Sequence, residues 1–110
     1  MAATWFALSG ACSDDTIICT AEYRFGLGVD VKTSTGDPVC DVTIRLQDGS
    51  YIEQKALSET DCFLTGAGER AGTYRVTVSR GDTLLAEEVV TVRAEECHVE
   101  GKSLTVVVDD

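Results

Sequence analysis

Apolar and polar residues alternate along most of the chain. Leu27, Val29 and Val31 alternate with Gly28, Asp30 and Lys32. Cys40, Val42, Ile44 and Leu46 alternate with Asp41, Thr43, Arg45 and Gln47. Tyr74, Val76 and Val78 are spaced by Arg75, Thr77 and Ser79, and Val90 and Val92 by Thr91 and Arg93. Leu104, Val106 and Val108 close the chain. A two-residue period is the pattern of half-buried strands, because successive side chains leave a strand on opposite faces. No stretch of ten residues keeps apolar positions at helical spacing, so the pattern predicts an all-β protein.

Turn signals fall between these runs. Thr35-Gly36-Asp37-Pro38 joins the first two strands, with Pro38 presetting φ at a turn position. Asp48-Gly49 is a favoured hairpin pair before Tyr51, and Arg80-Gly81-Asp82 separates the Tyr74 strand from Leu84. Gly66 to Gly72 reads as a glycine-rich loop. It lacks a Lys-Ser/Thr ending and precedes a strand, so it is no phosphate cradle. About seven strands with regular turn signals describe one small β-sandwich. There is no internal repeat and no second domain.

The first residues break this pattern. Met1 to Ala11 carry no charge, and Cys12-Ser13-Asp14-Asp15 ends the apolar run abruptly. A bilayer span needs about 20 residues, so this run has instead the length of a secretory h-region. Leu8-Ser9-Gly10-Ala11-Cys12 resembles a bacterial lipobox, with Leu8 one place further back than the aliphatic residue usual there. The resemblance implies a diacylglyceryl group on Cys12. It divides the chain into a signal remnant at 1–11, a tether at 12–20 and a domain at 21–108. Ser13 after the cysteine then implies sorting to the outer membrane.

Cysteine parity points the same way. Five cysteines in an exported chain leave one over. Lipidation of Cys12 leaves Cys19, Cys40, Cys62 and Cys97, which allow three connectivities. Cys40–Cys62 with Cys19–Cys97 is the preferred pairing, closing one mid-length loop and tying the start of the chain to its end. Another pairing, or free buried thiols, are the alternatives. With no C-x-x-C pair and no histidine cluster, no zinc site is expected.

Composition narrows the function. In 110 residues, nine Lys and Arg face nineteen Asp and Glu, a formal charge of −10. Such a chain repels phosphate backbones and anionic headgroups, so nucleic acid and polybasic membrane docking are disfavoured. At 44% hydrophobic it is too apolar for a disordered acidic tail.

Two motifs suggest a family. Val29 to Ile44, with Thr35-Gly36-Asp37-Pro38-Val39 at its turn, resembles the opening hairpin of carboxypeptidase regulatory-like domains. Ala71-Gly72-Thr73-Tyr74-Arg75-Val76-Thr77-Val78 resembles that family's Pro-Gly-x-Tyr-x-Val-x-Val strand, with Ala71 in place of proline. Val89-Val90-Thr91-Val92 falls where the next strand belongs. Cys40, Cys62 and Glu96-Cys97-His98-Val99 are similar to a cysteine-bearing version in bacterial lipoproteins. The resemblance covers about residues 19–108. It implies a transthyretin-like, antiparallel Greek-key sandwich of seven or eight strands that acts as an accessory module without catalytic residues.

Each candidate for chemistry has a plainer explanation. Cys97 and His98 would diverge if they were strand neighbours, so a nucleophile pair is not expected. Asp14-Asp15, Glu87-Glu88, Glu95-Glu96 and Asp109-Asp110 read as solvated charge, and no calcium loop of the D-x-D-x-D-G type exists. Arg80-Gly81-Asp82 is an integrin-type tripeptide that turn chemistry already explains. Trp5 and Phe6 fall in the signal, and Tyr51 near its turn is expected to be exposed. The expectation is a lipoprotein of the bacterial envelope with no catalytic residue, metal or cofactor. It is held to the membrane through Cys12 and contacts an envelope protein or a glycan. The alternative is a soluble secreted module that binds peptide, glycan or calcium.

Overall fold

The computed structural model describes residues 23–109. Seven strands run in order: β1 (Phe25–Thr33), β2 (Thr43–Asp48), β3 (Tyr51–Ala56), β4 (Leu64–Gly68), β5 (Gly72–Arg80), β6 (Thr83–Val92) and β7 (Lys102–Val108). They form two sheets, β4-β1-β7 and β3-β2-β5-β6. The described residues contain no helix, as the missing helical period predicts.

The alternation places the core. Leu27, Val29 and Val31 of β1, Leu64 of β4 and Val106 and Val108 of β7 are buried on one inner face. Ile44 and Leu46 of β2, Tyr74, Val76 and Val78 of β5 and Val92 of β6 are buried on the other. Fully burying one such side chain stabilises by roughly 1.5–3 kcal/mol, and the alternating polar residues stay on the outer faces. Leu57, Val39, Val42 and Val99 cap the layer from the connections.

Two hairpins turn through two residues each. Asp48 pairs with Tyr51 and Arg80 with Thr83, leaving Gly49-Ser50 and Gly81-Asp82 as the loops. Gly49 at φ 61° and Gly81 at φ 60° supply the positive φ that matches the strands' right-handed twist. Asp48 itself is thus the last strand residue, one place outside the loop.

Three expectations need correction. The sheets are not purely antiparallel, since β1 and β7 pair in parallel from Leu27↔Lys102 to Thr33↔Val108. Period-two alternation fixes which face is buried but is blind to a neighbour's direction. The chain between β1 and β7 passes through the whole opposite sheet and so can return in the same direction, as a parallel pair requires. Residues 66–68, read as loop, end β4 and pair with Leu27 and Phe25. Small residues suit them there, because a Cβ at Gly66 would meet the Glu53 carboxylate and Leu46 at 2.9 Å. Cys40 lies in the bend before β2 and is not on the strand.

Expected outcome: Leu46→Ala, fully buried between the sheets, loses about 2–5 kcal/mol in denaturant unfolding. Ile52→Ala on the outer face changes stability by less than about 0.5 kcal/mol.

Candidate functional site

The polar side chains that gather most closely do so at one end of the sandwich, around the start of β5. Tyr74 is fully buried, so its hydroxyl needs partners. It donates to the Arg70 carbonyl oxygen at 2.7 Å and accepts from Arg70 Nη1 at 3.0 Å. A tyrosine near a strand start bonding the backbone four residues back is the tyrosine-corner arrangement of β-sandwiches. Arg70 Nη1 also donates to Asp48 Oδ2 at 3.0 Å. The guanidinium carbon sits 4.0 Å from the Tyr51 ring centre and 5.6 Å from that of Tyr74, within cation–π reach of both rings. The two rings meet edge to face at 6.0 Å. Gly72 makes this possible, because a Cβ there would overlap the Asp48 carboxylate. Tyr51, expected to be exposed, is half-buried beneath Arg70.

Glu53 extends the cluster to β4. Its Oε1 accepts from the Tyr51 hydroxyl at 2.5 Å and from the Ala67 N–H at 2.9 Å. The Glu53 carboxylate as acceptor, burial and the nearby negative charge push the Tyr51 phenol up to about 12. Hydrogen bonds donated to the Tyr74 hydroxyl oxygen and to Asp48 hold Arg70 still more firmly protonated.

Beyond Ala67 the backbone is strained. Ala67 (φ 55°) and Glu69 (φ 49°) are both left-handed without being glycine, which costs of order 1–2 kcal/mol each. The surroundings hold them there, as such strain requires. The Glu69 N–H donates to the Arg24 carbonyl at 2.8 Å, and the Arg24 N–H donates back to Glu69 Oε2 at 2.8 Å. Glu69 Oε2 also lies 2.7 Å from His98 Nδ1. The His98 hydrogen bond, followed by that from Arg24, lowers the Glu69 carboxyl below its ordinary range. A carboxylate on Nδ1 orients an imidazole as in the base half of a nucleophilic triad. However, the neighbouring Cys97 is disulfide-bonded, which removes the thiol that a Cys–His pair would use. Cys97 and His98 occupy a turn closed by the Ala94–Val99 bridge, not a strand.

The Cys40–Cys62 disulfide is present, with Cα atoms 5.0 Å apart and a sequence separation of 22. It ties the β1–β2 connection to the approach to β4. A loop of this size is stabilised by about 3 kcal/mol through restriction of the unfolded chain. Cys40 and Cys62 take each other, so the partner of Cys97 lies outside the described residues. Cys12, Cys19, Trp5, Phe6, the 1–11 signal remnant and the 12–20 tether also lie outside them.

The remaining candidates separate. Glu87 and Glu88 follow one another in β6 and so leave on opposite faces; Glu87 pairs with Arg75 at 3.0 Å. Arg80 is not displayed at its turn: its Nε and Nη2 fork onto both Asp41 oxygens at 3.0 and 2.9 Å. That fork holds the Asp41 carboxyl low. Among the described residues no three His, Cys, Asp or Glu side chains gather to hold a metal ion. A shallow hollow of about 490 Å³ on the outer face of the three-stranded sheet is lined by Gly28, Asp30, Phe63, Thr65 and Ser103.

The Arg70–Asp48, Glu53–Ala67 and Glu69–His98 contacts escaped sequence reasoning because they join residues 22, 14 and 29 positions apart. The Tyr74 corner alone left a signal, a tyrosine just inside a strand after glycine. Comparison with protein-family models, with curated proteins and with solved structures finds no match for this chain.

Two outcomes check this cluster. Tyr74→Phe, which strands the Arg70 carbonyl and one guanidinium N–H, costs about 1–3 kcal/mol in chemical unfolding. In an alkaline titration followed by phenolate absorbance, one tyrosine ionises near pH 12, and Tyr51→Phe removes that late component. The folded state keeps this proton above the unfolded value of 10.0, so the stability it confers is complete below pH 10 and is lost as pH rises towards 12.

Proposed function

We propose that the chain is a non-catalytic lipoprotein module of the bacterial envelope. It is anchored through a lipid on Cys12 and works by contact, in protein interaction, adhesion or scaffolding, at the outer membrane. Cysteine arithmetic carries this reading. Cys40 and Cys62 pair, and Cys97 is bonded to a cysteine outside the described residues. Four of the five cysteines are thereby used, so one of Cys12 and Cys19 is left over. Cys12 ends the lipobox-like stretch, which assigns it the lipid and assigns Cys19 to Cys97.

Two placements bear on the carboxypeptidase regulatory-like resemblance. Pro38 of the Gly-x-Pro-Val turn bridges back to Lys32 of β1 before the chain crosses to the other sheet, so the motif serves as an inter-sheet connection and not as a paired hairpin. β4 returns to lie antiparallel beside β1 after the β2–β3 hairpin, a return connection compatible with a Greek-key sandwich. A single acyl chain binds membranes only marginally, but the several chains of a lipoprotein anchor stably. The −10 charge keeps such a tethered domain soluble and off anionic headgroups.

The alternative, a soluble secreted binding module, draws on the Phe63 hollow, where an aromatic ring and the Asp30 carboxylate face one depression. Detergent phase partitioning of the full chain expressed in a bacterium separates the two. The anchored protein enters the detergent phase and shifts to the aqueous phase with a lipoprotein signal-peptidase inhibitor or with Cys12→Ser. Aqueous partitioning indifferent to both treatments rejects the anchor.

A further inference from the structure

The outer face of the four-stranded sheet forms a regular grid. Strand registers align Gln54, Arg45, Thr77 and Glu87 in one row across β3, β2, β5 and β6. On one side of it lie Ile52, Gln47, Arg75 and Val89. On the other lie Ala56, Thr43, Ser79 and Leu84, the last brought outward by the bulge at Val78/Ser79. The centre is polar and the corners are apolar. Ile52, Leu84 and Val89 are 48%, 57% and 67% exposed at three corners of one face.

Arg45 is the anomaly at the centre. Acids outnumber bases nineteen to nine in this chain, and Lys32, Lys55, Arg70, Arg75, Arg80 and Lys102 each have a carboxylate within 4.0 Å. Arg45 and the exposed Arg93 have none among the described residues, and of the two only Arg45 lies on this face. Glu87, in its own row, is taken by Arg75. Arg45 Nε is moreover buried without a hydrogen-bond partner. It is the one such side-chain atom among the described residues, so this guanidinium is committed to no acceptor among them. The planar guanidinium fork matches a carboxylate with two parallel hydrogen bonds, and the flanking Gln47 and Gln54 amides can bond backbone beside it.

We propose that this face docks an extended segment of a partner protein that presents one carboxylate between apolar side chains, with the carboxylate on Arg45. A lone acid fits better than an acidic run, because the −10 chain repels accumulated negative charge while one contact at short range is little affected. The apolar flanks of such a segment would cover Ile52, Val89 or Leu84. Arginine is among the residue types that most often carry binding energy at interfaces. The inference deepens the interaction-module reading and rests on it. It makes no use of the lipid, so phase partitioning and the experiment below fail independently.

The test is an amide and Arg Nε chemical-shift titration of the folded chain with the peptide acetyl-Leu-Thr-Glu-Thr-Leu-amide, against the same peptide with Gln for Glu. The expected result is saturable shifts at Arg45 Nε, Gln47, Gln54 and Thr77 with the Glu peptide. Affinity should fall tenfold or more with the Gln peptide, and equally with Arg45→Gln. Arg45→Lys, which keeps the charge and loses the fork, should fall between. Equal binding of the two peptides overturns the proposal, as do unchanged affinity in Arg45→Gln, shifts centred elsewhere, or no saturation by about 10 mM peptide. Shifts at the same residues that depend on protein concentration without peptide would make a second copy the occupant and overturn it too. The Gln-peptide arm uses the unaltered protein, so it stands whatever the variants do to folding.

Discussion

Among the described residues the interior of this sandwich holds no buried charged residue, and the one buried hydroxyl among them, on Tyr74, governs the end where β5 begins. Tyr74 fills the space between the sheets with its ring, but its oxygen must be bonded on both sides. Its answer is Arg70, which supplies a carbonyl and a guanidinium N–H at once. Arg70 then needs an anion and a surface, and finds Asp48 and the Tyr51 ring. Asp48 reaches it only across a position with no side chain, which is why residue 72 is glycine. Tyr51 donates its hydroxyl hydrogen bond to Glu53, and Glu53 holds the left-handed turn at Ala67. One buried phenol thus organises three strands and the strained end of a fourth.

What could be read from the chain follows from how local each cause is. Alternation is a local property, so the inner faces of β1, β2, β5 and β7 were legible. So were the turns at Gly49 and Gly81, where a positive φ leaves a residue signature. The Cys40–Cys62 pairing followed from rough placement along the chain. The parallel register of β1 and β7 had no such signal, because direction is decided by a path through five other strands. β4 was hidden by its composition. Its Gly66, Ala67 and Gly68 look like loop residues, and they are strand residues because Glu53 and Leu46 crowd that edge from the facing sheet. The pairing of Glu69 with His98 spans 29 positions and no pattern announces it.

The charge balance changes meaning once the ion pairs are placed. Ten excess acids appear at first to be a uniform solvating coat, and for Glu59, Glu95 and Glu96 on exposed turns that remains sufficient. The cations, by contrast, are scarce and mostly committed: Arg70 closes the Tyr74 corner, Arg80 clamps the β1–β2 connection through Asp41, and Lys55 bonds both Asp61 and the Phe63 carbonyl. Each exposed pair contributes at most about 1 kcal/mol, so these commitments concern geometry more than stability. A scarce group left uncommitted in the middle of a flat, regular face is then more informative than any number of surplus carboxylates. The excess acids oppose association with other anions, while on the proposed reading Arg45 at the centre of the four-stranded sheet offers one carboxylate an attractive contact. Selectivity on such a surface comes from the contrast between a repulsive coat and a single attractive point, which favours a partner that carries little charge and carries it in the right place.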